Sequence, residues 1–357
     1  MFDLTSLGWD DPRAEEFRFH ARAGLTPGRV SAQHRGVWDV LTADGALRCD
    51  LAGRLYETHR PEDRPAVGDW VAVAARPDER AGTVQAVLPR RTEFSRKAAG
   101  RVTEAQVVAA NVDVVLVVSS LNEDLNLRRL ERYLTLAWES GAQPVLVLTK
   151  SDLCHDVPSA VAEVESIASG VPVHAVTTVD REGIGEVRRH LGPGVTGALL
   201  GSSGVGKSTL VNALAGREIL ATGGIREDDG RGRHTTTRRQ LVPLPGGGLV
   251  IDTPGMRELQ LWGVDQGLAD AFADVTDLFG SCRFSDCAHR TEPDCAVRDA
   301  LADGGLSPDR WEAYLKLQRE LGHLERRVDR RAAAVERQRW RAITRDAREI
   351  GRTKRRE

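Results

Sequence analysis

The chain has 357 residues, of which 29% are charged and 41% are hydrophobic, and its formal net charge is −2. This composition excludes a wholly disordered or fibrous protein, and the length predicts two or three domains. No apolar run approaches the roughly 20 residues that span a membrane, and the N-terminus lacks the pattern of a secretory signal. We therefore expect a cytoplasmic protein with no membrane partner. The near-zero charge, taken alone, argues against a nucleic-acid partner.

The first third of the chain contains three segments with different sequence patterns. Residues 1–35 show no sustained period and predict an irregular N-terminal segment. Over residues 36–90, short alternating segments are separated by turn signals at roughly ten-residue spacing, which is typical of a small antiparallel β-barrel. Residues 91–110 predict a basic linker, although a charge run of this kind is equally compatible with a solvated loop.

From residue 111 onward the pattern becomes α/β. Val112 to Ser119 is a β-branched apolar run, as expected of a strand buried on both faces. The alternation of strands and helices over residues 111–262 predicts a largely parallel sheet covered by helices. We expect residues 263–330 to form a helical metal-binding domain, and residues 331–357 to form a basic C-terminal helix or tail.

A phosphate-binding motif follows one of these predicted strands. The run from Gly201 reads GSSGVGKS and fits G-x-x-x-x-G-K-[ST], with a predicted helix after it. In this motif backbone N–H groups face the phosphates, Lys207 reaches the β- and γ-phosphates, and the Ser208 hydroxyl can ligate Mg²⁺. A plain Gly/Ser-rich turn is the alternative, and the register of strand, loop and helix disfavours it. The predicted nucleotide contacts are Gly201, Ser202, Ser203, Gly204, Val205, Gly206, Lys207, Ser208 and Thr209.

Two further segments have the chemistry of a triphosphate site. Asp252 ends an apolar strand in a D-T-P-G motif, where its carboxylate can organise Mg²⁺ through water while the Gly255 N–H senses the γ-phosphate. Between the two motifs, a Gly-, Asp- and Arg-rich segment holds a threonine run that can supply a hydroxyl to Mg²⁺ when triphosphate is bound. A mobile surface loop is the alternative for any single threonine. The candidate catalytic residues are Lys207, His234, Thr235 and Thr236.

A candidate base-reading motif, T-K-S-D, follows the apolar strand at residues 144–148. The Asp152 carboxylate can accept hydrogen bonds from guanine N1–H and N2–H₂, a donor pair that adenine lacks, and Lys150 can pack over the ring. The alternative is an aspartate that only caps the next helix. The predicted set is Thr149, Lys150, Ser151 and Asp152. This motif precedes the phosphate loop, the reverse of the usual order in small GTP-binding proteins, so we predict a circularly permuted domain.

Four residues near the C-terminus have the composition of a structural zinc site. Three thiols and one imidazole can fill a closed tetrahedral shell, and free buried cysteines are the alternative. The candidate ligands are Cys282, Cys287, His289 and Cys295.

The basic charge of the chain is concentrated at its C-terminal end. Residues 310–357 hold 16 Lys+Arg against 8 Asp+Glu, which leaves 34 against 44 in residues 1–309. The net charge of −2 is therefore a cancellation between an acidic body and a basic end. A basic helical face can neutralise nucleic-acid phosphates, and the alternative is a solvated or frayed tail.

The motifs in this order resemble the RsgA (YjeQ) family of circularly permuted GTPases of small-subunit maturation. The resemblance extends from about Gly36 onward and includes the sequence from Asn126 to Leu130. It implies an OB-fold, GTP hydrolysis to GDP with Mg²⁺ and stimulated by the 30S subunit, contact with 16S rRNA, and a zinc-binding C-terminal domain. We expect a monomer. A GTP-dependent RNA-binding regulator and a P-loop kinase are alternatives, and the guanine motif disfavours the kinase.

The chain departs from the family pattern at two places in the base site. Thr149 stands where asparagine is commoner, and Val176-Thr177-Thr178 has threonine where the family's second base loop has serine. In addition, Met256 follows D-T-P-G where many GTPases carry a glutamine that orients water. The resemblance therefore supports His234 as the water-positioning residue, with hydrogen bonding inside its own loop as the alternative.

Overall fold

A computed structural model describes residues 2–58, 64–97, 105–122, 125–220, 239–252 and 265–322. The strands are β1 Thr26–Gln33, β2 Trp38–Thr42, β3 Gly45–Leu51, β4 Trp70–Arg76, β5 Ala81–Val87, β6 Glu93–Lys97, β7 Ala105–Ala110, β8 Val114–Ser120, β9 Gln143–Thr149, β10 Val173–Ala175, β11 Thr196–Leu200, β12 Gln240–Pro243 and β13 Leu249–Asp252. The helices are α1 Asp11–Arg22, α2 Gly53–Thr58, α3 Leu127–Glu139, α4 Val157–Glu165, α5 Ile184–Arg189, α6 Lys207–Ala215, α7 Asp265–Ala271, α8 Ala273–Thr276, α9 Ala296–Asp303 and α10, which covers 308–322 of the described residues.

The N-terminal strands form a closed five-stranded barrel. The strand order is β1-β2-β3-β5-β4, and β4 pairs back onto β1 to close the ring. Apolar side chains that alternate along these strands fill the interior, among them the fully buried Val30, Val40 and Val71. This alternation is the period-2 signal that predicts a barrel from the sequence. The predicted fold class is confirmed here.

The central unit is a parallel sheet with helices on both faces. Its strand order is β10-β9-β8-β11-β13, all parallel, with β12 antiparallel to β13 at the edge. Every residue of β8 is buried, as its β-branched apolar sequence predicts for a central strand. One face of the sheet packs against α3 and α4, and the other against α5 and α6.

The barrel and the central sheet share one hydrogen-bonded ladder. Ala32 of β1 lies opposite Gln240 of β12, which joins the two strand sets into one sheet of eleven strands. The buried Arg29 side chain crosses the same junction and donates to the carbonyl oxygens of Asn111 and Gly68, at 3.0 Å and 3.3 Å. The junction is therefore both a strand pairing and a buried polar contact.

The C-terminal unit is helical and has its own core. Helices α7 to α10 pack around the buried Phe272 and Val275, with Tyr314 and Leu317 from α10. Helix α7 lies against α3 of the central unit, where a Cβ on Gly267 would approach the backbone oxygen of Thr135 to 2.6 Å. The absence of a side chain at position 267 thus permits this close helix packing.

Two sequence predictions about the N-terminal region are wrong. Residues 1–35 are not irregular, because α1 and β1 lie within them and β1 is the strand that closes the barrel. Residues 91–110 are not simply a basic linker, because β6 and β7 form an antiparallel hairpin there. Arg90 and Arg91 at its start are ion-paired with Asp69 and Asp10, at 2.9 Å and about 2.5 Å. The acidic partners lie far away in the sequence, so the local charge pattern alone predicts a solvated segment.

Candidate nucleotide site and metal centre

The predicted nucleotide motifs meet at one edge of the parallel sheet. The phosphate loop follows β11, Asp252 ends β13, and Thr149 ends β9 with Lys150 to Asp152 directly after it. Strand β11 lies between β8 and β13, and β9 pairs with β8 on its other side. Because carboxyl ends of parallel strands meet at the same edge of a sheet, the order of these motifs in the chain does not affect their assembly. The prediction of a circularly permuted domain is confirmed in this topology.

The phosphate loop is held by backbone geometry and by its own lysine. Gly201 approaches β8 so closely that an added Cβ would lie 2.2 Å from the Val118 oxygen. Gly206 caps α6 with a positive φ of 90°, a conformation that glycine adopts without strain. Lys207 Nζ donates to the carbonyl oxygens of Gly201, at 2.8 Å, and of Ser202. The loop therefore folds around the ammonium group predicted to reach the phosphates.

Thr149 braces the phosphate loop from β9. Its Oγ1 lies 2.6 Å from the Val205 carbonyl oxygen and 3.1 Å from that of Ser119. All three residues are almost completely buried, so the hydroxyl has no competing water. A threonine where asparagine is commoner thus still links the base strand to the phosphate loop.

The two base loops are joined next to each other. Ser151 N–H donates to the Val176 carbonyl oxygen at 3.2 Å, and Thr177 Oγ1 accepts from the Val179 N–H at 3.2 Å. Asp152 lies in a short 3₁₀ helix and its side chain is exposed, so its carboxylate is accessible to a base. Arg181 Nη2 ties the second loop to the end of α6 by donating to the Ala213 oxygen at 2.7 Å.

The four predicted metal ligands form one cluster. Their ligand atoms all lie within 4.8 Å of one another. His289 Nδ1 lies 3.5 Å from the sulfurs of both Cys282 and Cys295, and those two sulfurs are 4.0 Å apart. A tetrahedral zinc ion with Zn–S distances of about 2.3 Å holds its sulfurs about 3.8 Å apart. The residues therefore fit a tetrahedral metal ion with soft ligands.

The loop around the cluster is preorganised by a carboxylate and by aromatic packing. Glu292 accepts from its own N–H and those of Arg290 and Thr291, which lowers its pKa to about 2. Burial raises the pKa of the Cys287 thiol to about 11, and a bound metal ion would favour its thiolate form. The Phe279 ring stacks on His289 with centroids 4.4 Å apart. These backbone hydrogen bonds and the ring stacking hold the loop that carries the four candidate ligands.

Several predicted site residues lie outside the described part of the chain. These are His234, Thr235, Thr236 and Thr237 of the threonine run, Gly255 and Met256 of the D-T-P-G region, and most of the basic end beyond residue 322. Their roles stay predictions. At the start of that end, Leu321 is buried in the C-terminal core and Trp311 packs against it.

Sequence reasoning missed two long-range contacts of α3, one to the C-terminal unit and one to the phosphate loop. Arg310 of α10 is ion-paired with Glu131 of α3 at 2.8 Å, and both side chains are buried. The Tyr133 hydroxyl, two residues further along α3, lies 3.4 Å from the Ser202 Oγ of the phosphate loop. Both contacts join residues far apart in the chain, so no local pattern signals them.

Comparison with known proteins agrees with this arrangement of motifs. A family model described as RsgA GTPase matches residues 87–262. A protein of Opitutus terrae named small ribosomal subunit biogenesis GTPase RsgA is 50% identical over 350 residues, which cover 95% of each chain. The chain belongs to the RsgA GTPase family. As a member of this family it is a GTP-hydrolysing enzyme.

Solved structures of related proteins have the same architecture. YjeQ from Thermotoga maritima is 30% identical, with a TM-score of 0.64, and the match covers 83% of this chain and 98% of that protein. YloQ, described as a circularly permuted GTPase, matches with a TM-score of 0.61 at 23% identity over 84% of this chain and 96% of its own, and supports the fold. Within the described ranges, every helix of this RsgA-family chain is too short or too polar to cross a bilayer.

Proposed function

We propose that this RsgA-family GTPase is a GTP-controlled switch in late maturation of the small ribosomal subunit. The observation that carries the proposal is the assembly of a base loop, a phosphate loop and Asp252 at one sheet edge, between a closed barrel and a Cys₃His unit. Two relatives named for small-subunit biogenesis match 95% and 93% of this chain. The partners are then GTP or GDP, the 30S subunit and its 16S rRNA, and the protein acts as a cytoplasmic monomer.

In the proposed GTP complex each motif has one task. Asp152 accepts from guanine N1–H and N2–H₂, and Lys150 packs over the ring. Lys207 neutralises the β- and γ-phosphates, and Gly255 N–H donates to the γ-phosphate. Ser208, Asp252 and a threonine of the 235–237 run would hold Mg²⁺, which would neutralise phosphate charge.

Hydrolysis requires a water molecule positioned in line with the γ-phosphate. Met256 has no group to orient it, so His234 is proposed for this task. Loss of the γ-phosphate removes the partner of the Gly255 N–H and of the threonine run, which changes the order of these segments. Release of the docked subunit then follows from hydrolysis.

Docking uses surfaces outside the nucleotide domain. The barrel and the C-terminal unit are proposed to contact rRNA, and the basic end adds salt-sensitive attraction for its phosphates. We propose zinc as the metal of the Cys₃His cluster and assign it a structural role, because four protein ligands leave no open position for water.

A GTPase assay with and without purified 30S subunits tests the proposal. We expect stimulation by 30S subunits, none by 50S subunits, and loss of stimulation at high salt. An unchanged rate with 30S subunits would refute the switch proposal, and faster turnover of ATP than of GTP would refute the guanine assignment. The K207A variant controls for contaminating nucleotidases.

A further inference from the structure

Helix α3 lies between the C-terminal unit and the phosphate loop. Leu130 and Leu134 bury one of its faces against the sheet. Glu131 contacts the C-terminal unit, whereas Tyr133 contacts the phosphate loop. Two residues along an α-helix correspond to a rotation of about 200°, so these two side chains leave the helix in nearly opposite directions. A displacement of α3 therefore acts on both neighbours at once.

The C-terminal contact of α3 is a buried ion network centred on Arg310. Its guanidinium donates to Glu131 Oε1 at 2.8 Å and to both carboxylate oxygens of Asp274, at 2.8 Å and 2.9 Å. It also lies 4.0 Å from the centroid of the Phe272 ring. A network with this many fixed partners has one low-energy geometry, so it sets the position of α3 relative to α8 and α10.

The same network connects to the metal cluster. Trp311, next to Arg310 on α10, packs edge-on against His289 with ring centroids 5.9 Å apart. Phe279 lies between these elements and stacks on His289. The position of α10, and with it Arg310, therefore depends on the loop that carries the metal ligands.

On the other side of α3, Tyr133 contacts the residue that holds the phosphate-loop lysine. Its hydroxyl lies 3.4 Å from Ser202 Oγ, and the carbonyl oxygen of Ser202 accepts from Lys207 Nζ. A shift of Ser202 therefore moves an anchor of the ammonium group. Only the side-chain hydroxyl of Tyr133 makes this contact, so it can be removed without changing the ring.

We propose that Tyr133 is a positioning residue for GTP hydrolysis, and that α3 transmits the state of the Cys₃His unit to Lys207 through Glu131 and Tyr133. The proposal rests on the proposed role of Lys207 at the β- and γ-phosphates. Under this proposal the C-terminal unit affects the rate of GTP hydrolysis through α3, in addition to its proposed role in docking. Because a contiguous path is not itself proof of coupling, the test measures coupling between substitutions.

The experiment measures single-turnover GTP hydrolysis by the full chain without ribosomal subunits. Loss of one hydroxyl contact corresponds to about a twofold to tenfold change in rate, so we expect Y133F to lower the rate by about fivefold. Because Lys207 also contacts the β-phosphate in the proposed complex, GDP binding is measured in parallel, and we expect its affinity to fall by a smaller factor than the rate at saturating GTP. A merely structural role of Tyr133 would weaken GDP binding together with the rate.

The coupling test combines Y133F with E131Q. E131Q removes the charge on the α3 side of the network, and we expect it to slow hydrolysis in the wild-type background but not further in the Y133F background. Arg132 and Glu320 join the same two helices through an exposed ion pair, so R132Q is a matched control that should leave the rate unchanged. Metal content and circular dichroism establish that each variant is folded.

A second double-mutant cycle tests the proposal if E131Q does not fold. S202A removes the other hydroxyl of the contact, and the Y133F and S202A effects should be non-additive. Independent effects in either cycle, or a wild-type rate for Y133F, would overturn the proposal. Because all of these rates are measured without 30S subunits, an absence of 30S stimulation would refute the proposed function alone.

Discussion

Replacement of Thr149 by valine tests the brace between β9 and the phosphate loop. Valine has nearly the same shape as threonine but lacks the hydroxyl that lies 2.6 Å from the Val205 oxygen and 3.1 Å from the Ser119 oxygen. A Cβ on Gly206 would be 3.6 Å from the same Oγ1, so the loop backbone packs directly on this side chain. The substitution therefore removes a hydrogen bond while it preserves the packing.

The expected size of the effect follows from the burial of this contact. Loss of a hydrogen bond costs about 1 kcal/mol, and a buried carbonyl left without its donor adds about 1 kcal/mol more. The sum of about 2 kcal/mol corresponds to a factor of about 30 in an equilibrium constant. That factor is the upper limit for the loss of nucleotide affinity. Without the brace, part of the binding free energy must be spent on restoring the loop conformation.

Titration with a fluorescent GDP and a fluorescent GTP measures the effect. We expect T149V to weaken both nucleotides by about fivefold to 30-fold, because the brace acts on the whole loop, and T149S to stay within about threefold of wild type. Equilibrium unfolding in urea shows whether T149V is folded under the assay conditions. Folded T149V with wild-type affinity for both nucleotides would refute the assigned role of this hydroxyl.

Three further predictions concern the base site, the metal centre and acid stability. D152A should reduce the preference for GTP over ATP by at least about tenfold, measured by competition binding, because the carboxylate acceptor for guanine is lost; an unchanged preference would exclude Asp152 as the base reader. C295S should lower both the bound zinc measured by mass spectrometry and the Tm, and wild-type metal content would contradict the four-ligand site. His174 and His190 have Nε2 atoms 2.8 Å apart, and burial lowers the pKa of both below 6.5. As the pH falls below 6.5, the histidines of the unfolded chain are protonated before those of the folded chain. The free energy of unfolding should therefore be larger at pH 7.5 than at pH 5.5. H190N should reduce this difference, measured by urea unfolding at the two pH values.

Much of the nucleotide site was predictable because its chemistry is local in sequence. The phosphate loop needs Gly201, Gly206 and Lys207 at fixed spacing between a strand and a helix, and this spacing is visible in the chain itself. The parallel sheet was predictable for the same reason, since a strand buried on both faces must be apolar along its whole length, as β8 is. The four metal ligands lie within fourteen residues, so their chemistry was also apparent.

Features that depend on distant partners were not predictable from local patterns. β1 contains Pro27, Gly28 and Arg29, which resemble loop sequence, yet the Arg29 side chain is buried and satisfied by carbonyl oxygens from the junction. Gly28 lies where a Cβ would come within 2.4 Å of a Val40 methyl group, so it is part of the barrel packing. Tertiary contacts therefore override the local preference of this segment.

The strand pairing between Ala32 and Gln240 limits how the molecule can move. Strand β12 begins two residues after the undescribed segment 221–238, which holds the threonine run, and it pairs with β13 on one side and β1 on the other. A barrel joined only by a flexible linker would move independently of the nucleotide sheet. Here, β1 of the barrel instead pairs with β12 at the edge of that sheet. A displacement of Gln240 would therefore act on the wall of the barrel as well as on the edge of the nucleotide sheet.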